Sequence, residues 1–230
     1  TGNSSVCGKN GWWKQIVKNN GSIDTNKYSI LAFNIPGNGY DGILYDNYSI
    51  FNTGDIAKIF FKALEKLGIK NLHAAIGGSI GAAICWELAA LYPNLIKHLI
   101  SVAGDWKATD WMIANSSLQS RILNNSSNPI QDARMHAMLC YRTPKSFRIR
   151  FNRSFNKEKN IFNVESWLFH HGQKLEDRFE LKAYKMMNHL LGSINIERYG
   201  EKIESIILKI KSKIHIISID TDLFFPLDED

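Results

Sequence analysis

In NLHAAIGGSIGAAICWELAAL, residues 71–91, a short apolar run meets Gly77-Gly78-Ser79-Ile80-Gly81, and a helix of small residues follows at once. Strand, sharp turn and helix around G-x-S-x-G is the pattern of a nucleophile elbow. The glycines have a steric reason. The residues two before and two after Ser79 crowd each other in so tight a turn, so a Cβ at Gly77 or Gly81 is expected to clash. The turn lifts the Ser79 hydroxyl above the sheet. It also points the unpaired N–H groups of the following helix at any oxyanion that develops there, with the Ile80 N–H as first donor. A pattern with three fixed positions arises by chance in Gly- and Ser-containing chains. Its place between a β-type run and a helix beginning Ala82-Ala83-Ile84 favours the elbow.

Around this centre the chain alternates. Residues 27–33 (KYSILAF) read as a strand bounded by turn formers. Helix 55–67 puts Ile56, Ile59, Phe60, Ala63, Leu64 and Leu67 on one face, with Thr53 placed to cap it and Gly68 to stop it. The elbow strand 72–76, its helix to about Leu91, and a strand over 97–103 follow. Short links between strands and helices in this order specify a parallel, helix-covered sheet, an α/β fold. From Asp105 to about Ile194 only helical patterns occur. They begin at Pro129, with Asn128 as cap, near Pro144, at Val164 and at Leu181. A helix over 201–210, a strand over 213–219 and the loop Asp220–Pro226 return to the sheet. The expected division is residues 1–104 as the first part of the core, 105–195 as a helical cap, and 196–230 as the rest of the core.

With 230 residues, 44% hydrophobic and 22% charged, the chain can bury a full core. Its net charge of +6 reads as dispersed lysine and arginine, without the basic stripe and interleaved aromatics that nucleic-acid binding uses. Cys7, Cys85 and Cys140 are odd in number and lack metal spacing, as in a reducing compartment, so the expected site is the cytoplasm and no metal is expected. Cys85 should pack as a small apolar group within the elbow helix. No run approaches the length of a membrane span.

A serine nucleophile on this fold needs an acid and then a histidine, in that chain order. Asp220 and Asp222 both follow the last strand, and Asp222 is the stronger candidate, although aspartate is also a common turn residue. All seven histidines precede Asp222, with His73 and His215 on strands and facing the packing, and His170 and His171 mid-helix. A serine without its base is a poor nucleophile. The expectation is therefore a piece of a longer protein whose base lies further on, this piece being inactive without it.

Four blocks, GGSIGAAICWELAALYPN (77–94), DARMHAMLCYRT (132–143), VESWLFHHGQKLEDRF (164–179) and TDLFFP (221–226), together resemble the homoserine O-acetyltransferase family of α/β-hydrolase-fold acyltransferases. TGNSS, Trp12-Trp13 and Asp24-Thr25 also match that family's early region, so the likeness spans essentially the whole chain. The resemblance implies an α/β-hydrolase fold and ping-pong transfer of an acetyl group from acetyl-CoA, a co-substrate, to homoserine in methionine biosynthesis. Ser79 would carry the acyl group, Ile80 would stabilise the oxyanion, Asp222 would orient the histidine, and Arg134 would hold the substrate carboxylate. Read without the family, Arg134 is a surface arginine on an amphipathic helix. Homodimers through cap helices are a further implication. The chain departs from the family at Gly39-Tyr40-Asp41-Gly42, which stands in place of a Gly-Ser-Thr-Gly-Pro-like loop, and in a shortened stretch before Arg134. The second oxyanion donor would precede Thr1-Gly2. A serine esterase of the same fold, or a non-catalytic module that has lost the base, are the competing readings.

Overall fold

A computed structural model describes residues 4–9 and 11–229; Thr1 and Gly2, and the oxyanion donor expected beside them, lie outside the described residues. A two-residue parallel pairing joins β1 (Val17–Lys18) to β2 (Ile23–Asp24) in the early segment. Then come α1 (Thr53–Lys66), β3 (Leu72–Gly78), α2 (Ile80–Leu91) and β4 (Ile96–Val102). Five helices follow: α3 (Asp110–Asn125), α4 (Pro129–Cys140), α5 (Pro144–Phe151), α6 (Asn163–Glu176) and α7 (Leu181–Gly192). A small antiparallel hairpin, β5 (Phe155–Asn156) with β6 (Ile161–Phe162), sits between α5 and α6. Finally α8 (Ile203–Lys209) leads into β7 (Lys213–Ile217). The central sheet runs β3-β4-β7, all parallel, with Ala75 beside Leu99 and Leu99 beside Ile214.

One expected strand does not form. Residues 27–33 run as irregular backbone, held by side chains: Phe33 stacks on Phe60 at 4.6 Å and Tyr28 lies 4.8 Å from His73. Strand propensity describes how a segment fits a pleated partner, and the packing here supplies contact without a ladder. The α1 cap is also shifted by one residue. Asn52 accepts from the Asp55 N–H at 3.2 Å, and the Asp55 carboxylate accepts from the Asn52 N–H. That reciprocal pair leaves Thr53 free to turn inward. Gly68 ends α1 at φ +72°, as expected.

The main core joins Ile56 and Leu64 of α1, Ile84 and Leu88 of α2, Leu99 of β4, and Met186 and Leu190 of α7. Helix α2 is buried almost all round, as a helix apolar on every face should be. Cys85 is buried in it, and loss of water pushes its thiol up to about 12, so it is chemically inert at neutral pH. The exception on α2 is Glu87, whose side chain is 1% exposed. Its Oε1 accepts from Thr53 Oγ1 at 2.7 Å and lies 2.7 Å from Arg198 Nη2, while Oε2 has no hydrogen-bond partner among the described residues. Arg198 also donates to Thr53 Oγ1, Ser193 O and Asn195 O. This cluster locks α1 and α2 to the chain returning from α7.

Burial raises the Glu87 pKa above its ordinary 4.5, and the Arg198 charge offsets this only in part. With the folded pKa above the unfolded one, the folded state binds more protons, so stability falls as pH rises from about 4.5 through the raised value. Glu87→Gln will flatten that decline. The check is unfolding free energy against pH for both proteins; two parallel curves would contradict the assignment. The absolute stability of the variant will drop, because Arg198 is left unpaired in a largely buried place.

The two ends of the helical segment meet. Ala108 N donates to Ile194 O at 2.8 Å, Ile196 N donates to Trp106 O at 3.1 Å, and Lys107 pairs with Glu197 at 2.8 Å. Helices α3, α4, α6 and α7 pack on one another between them. None of the described helices is long and apolar enough to cross a membrane. The positive charge is not dispersed as expected. Residues 142–162, which form α5 and the hairpin, hold seven of the 28 basic residues and one of the 22 acidic ones, equal to the whole net charge of +6. Four phenylalanines are interleaved among them.

Candidate active site

Ser79 stands at the junction of β3 and α2 with φ 55° and ψ −125°, a backbone conformation that a residue with a side chain rarely adopts. Its N–H is shared between Val102 O (3.0 Å) and Ala103 O (3.1 Å), which ties the turn to the end of β4. Its carbonyl accepts from the Ala82 N–H at 2.8 Å, opening α2. The crowding expected of the elbow is real but one-sided. A Cβ on Gly77 would stand 2.5 Å from the Ala82 nitrogen and closer still to the Gly81 carbonyl. A Cβ on Gly81 would meet open space, which corrects the expectation of a clash there. The second close approach is instead at Gly104, where a Cβ would lie 2.5 Å from Ser79 O and 2.7 Å from Ala82 Cβ. Ile80 begins α2, so its N–H has no intrahelical acceptor.

The carboxyl ends of the three strands are tied together. Ala103 N donates to Ile217 O at 2.8 Å, so the turn carrying Ser79, the end of β4 and the loop after β7 lie side by side. Within that loop Asp222 Oδ1 accepts from Phe224 N (2.8 Å) and Phe225 N (3.2 Å). The turn role of this aspartate is therefore present, and Oδ2 makes no hydrogen bond among the described residues. Two contacts fix the loop to the helices above: Leu223 N donates to Cys140 O at 3.3 Å, and Trp111 Nε1 donates to Leu223 O at 2.7 Å. The Asp222 charge adds to burial in raising the Cys140 thiol.

Arg134, on α4, is half-buried and pairs with no carboxylate among the described residues. Its guanidinium lies 5.4 Å from the centre of the Tyr141 ring, which in turn approaches Phe224 at 5.9 Å. Burial raises the Tyr184 hydroxyl, and loss of water around its hydroxyl end raises Tyr141 although about half of that residue's surface is exposed (51%); the Arg134 charge opposes both shifts. Tyr184 donates to Gln119 Oε1 at 3.4 Å. So α4, α7 and the Asp222 loop converge on Arg134. Neither tyrosine was singled out from the sequence, although Tyr141 lies seven residues beyond Arg134, on the same helical face.

No histidine hydrogen-bonds Ser79 or Asp222 among the described residues. His136 meets Gln119, His189 meets Phe51 O, and His171 lies on Trp167. His73 and His215 do not face the packing as expected; both are exposed, and with His98 between them they form a row of rings on the sheet. The described residues contain no group of three His, Cys, Asp or Glu side chains arranged to hold a metal.

A parallel sheet ending in an elbow serine, with an acid after a later strand, defines an α/β-hydrolase fold. The model of that family matches residues 2–137, and the chain belongs to it. Over 95% of its length the chain is 29% identical to homoserine O-acetyltransferase from Trichormus variabilis and 28% identical to that from Chloroherpeton thalassium. It spans 68% and 64% of those proteins, about two thirds of each. In structure it superposes on homoserine O-acetyltransferase from Staphylococcus aureus (TM-score 0.84, 23% identity, 100% of this chain and 70% of that one). It superposes equally well on the L374D mutant of esterase E22 (TM-score 0.85, 17% identity, 98% of this chain and 73% of that one). At such identities the superpositions speak for the fold alone.

Proposed function

We propose that the protein is an acyltransferase that moves an acetyl group from acetyl-CoA to the hydroxyl of homoserine through an acyl-serine. Ser79 Oγ attacks the thioester carbonyl, and its proton passes to an imidazole that Asp222 orients. The Ile80 N–H, at the positive end of α2, stabilises the oxyanion, and the carbonyl re-forms as the thiolate leaves and is protonated. The hydroxyl of homoserine then attacks the seryl ester, its proton leaves, and the Ser79 alkoxide recovers a proton as O-acetylhomoserine departs. Arg134 binds the carboxylate of the amino acid, for which a planar guanidinium is suited because it can donate two parallel hydrogen bonds.

The observation that carries this reading is the strained Ser79 backbone at the mouth of α2, since such strain is kept where a side chain must be presented. The half-buried Arg134, which pairs with no carboxylate among the described residues, supports an acidic acceptor rather than simple ester hydrolysis, and so do the two homoserine O-acetyltransferases that share 28–29% of their sequence with the chain. Arg134→Lys is the test. Lysine keeps the charge and loses the fork, so KM for homoserine should rise roughly 10- to 100-fold while the rate of Ser79 acylation stays within about twofold. Steady-state and burst kinetics on the intact protein separate the two steps. A loss confined to acylation, or turnover indifferent to homoserine, would contradict the proposal.

A further inference from the structure

The tract of residues 142–162 concentrates cations that the fold does not neutralise. Arg142, Lys145, Arg148, Arg150, Arg153, Lys157 and Lys159 form no ion pair with a carboxylate among the described residues, whereas seven of the other 21 basic residues of the chain do. The tract is also joined to the site. Arg142, just before α5, and Arg150, in its last turn, both lie against the Trp167 indole, at 5.5 and 5.6 Å from its centre. Trp167 packs on His171 at 4.4 Å, and Arg142 directly follows Tyr141, whose ring lies 5.4 Å from the Arg134 guanidinium. A cationic path thus leads outward from Arg134 through Arg142 and Arg150 to the exposed face of α5. Like charges held together at a surface repel one another unless an anion joins them.

We infer that this path is the subsite for the nucleotide end of the acyl donor, an adenosine 3′-phosphate joined through its 5′-diphosphate to the thiol arm. The inference rests on the acyl-CoA reading of Ser79 and deepens it. The donor is the one substrate that carries several phosphates remote from the reacting carbonyl, and the tract begins beside the proposed acceptor arginine. A second copy of the chain is a poor occupant, because it would set the same +6 tract against itself. Nucleic acid fits less well, because aromatic faces on which bases would stack are already covered by the tract's own guanidinium groups, Phe151 by Arg150, Phe162 by Arg153, and Trp167 beside the tract by Arg142 and Arg150.

The experiment is calorimetric titration of the intact protein with adenosine 3′,5′-bisphosphate, for the wild type, for Arg142→Gln/Arg150→Gln and for Lys145→Gln/Arg148→Gln. The second pair lies exposed on α5 and tests the tract without disturbing Trp167. Wild type should bind, and each pair should weaken binding at least tenfold, the Lys145→Gln/Arg148→Gln pair at unchanged melting temperature. Affinity should also fall as salt rises from 0.05 to about 0.5 M. In turnover, kcat/KM for acetyl-CoA relative to acetyl-pantetheine should fall at least tenfold in the variants. This ratio does not depend on the acceptor, and the titration does not depend on catalysis. Bisphosphate binding without turnover would therefore overturn the transferase reading and leave the subsite standing. No binding to wild type, equal binding to the variants, or tighter binding of single-stranded oligonucleotides or anionic lipid vesicles than of the bisphosphate would overturn the subsite.

Discussion

Ser79→Ala will lower acyl transfer by about 10⁴-fold or more while the protein keeps its melting temperature within a few degrees. The loss is large because the hydroxyl is the atom that forms the covalent bond, and no neighbouring side chain can take its place. Binding and the oxyanion donors remain, so a residual rate above that of free solution should survive. Stability should hold for a separate reason. The Ser79 side chain makes no hydrogen bond among the described residues, so alanine strands no buried partner. The φ of 55° is borne equally by either residue. Activity and thermal unfolding measured on the same preparation test both halves. An active Ser79→Ala protein would refute the role given to this serine.

Gly77→Ala will damage the fold more than any other single methyl group added near the site. Its Cβ would be driven into the backbone of Gly81 and Ala82, and backbone at the start of a buried helix cannot swing aside as a side chain tip can. Overpacking of this kind costs about 1–3 kcal/mol in ordinary cores and more where main chain is struck, and about 4 kcal/mol is expected here. At about 2–4 °C per kcal/mol for a domain of this size, the melting temperature should fall by roughly 8–16 °C. Gly81→Ala is the internal control. Its Cβ meets nothing, its φ is negative, and alanine suits a helix, so stability should stay level or rise by up to about 1 kcal/mol. Equal losses at the two positions would contradict the one-sided crowding.

The elbow was legible in the sequence because its cause is local. A strand, a serine and a glycine two residues back are bound by sterics that no distant contact can relax. The helices around it were legible for a related reason, since the apolar spacing of Ile56, Ile59, Phe60 and Leu64, for example, is a property of one helix. What failed was non-local. Residues 27–33 have the composition of a strand, but a ladder needs a partner at the right register, and that partner is not encoded in the segment. Asn52 and Thr53 both have cap chemistry, and the choice between them was made 34 residues away, where Glu87 recruits the threonine hydroxyl. The two-residue strands at Phe155 and Ile161 are too short to show any period. The +6 could have been located by counting along the chain, because residues 142–162 are as distinct in sequence as they are in the fold. At the candidate site, pattern and order single out Ser79 and Asp222, but they give no hint of the tyrosines around Arg134. Tyr184 reaches that arginine from another helix, and only tertiary structure brings the two together.

The most direct measurement is peptide mapping of the intact protein after brief exposure to acetyl-CoA without homoserine and an acid quench. One acetyl group on the peptide that contains Ser79, removed when homoserine is added and absent in Ser79→Ala, is the predicted result. An unmodified Ser79 peptide during turnover, or an acetyl group on another residue that homoserine discharges, would contradict the account.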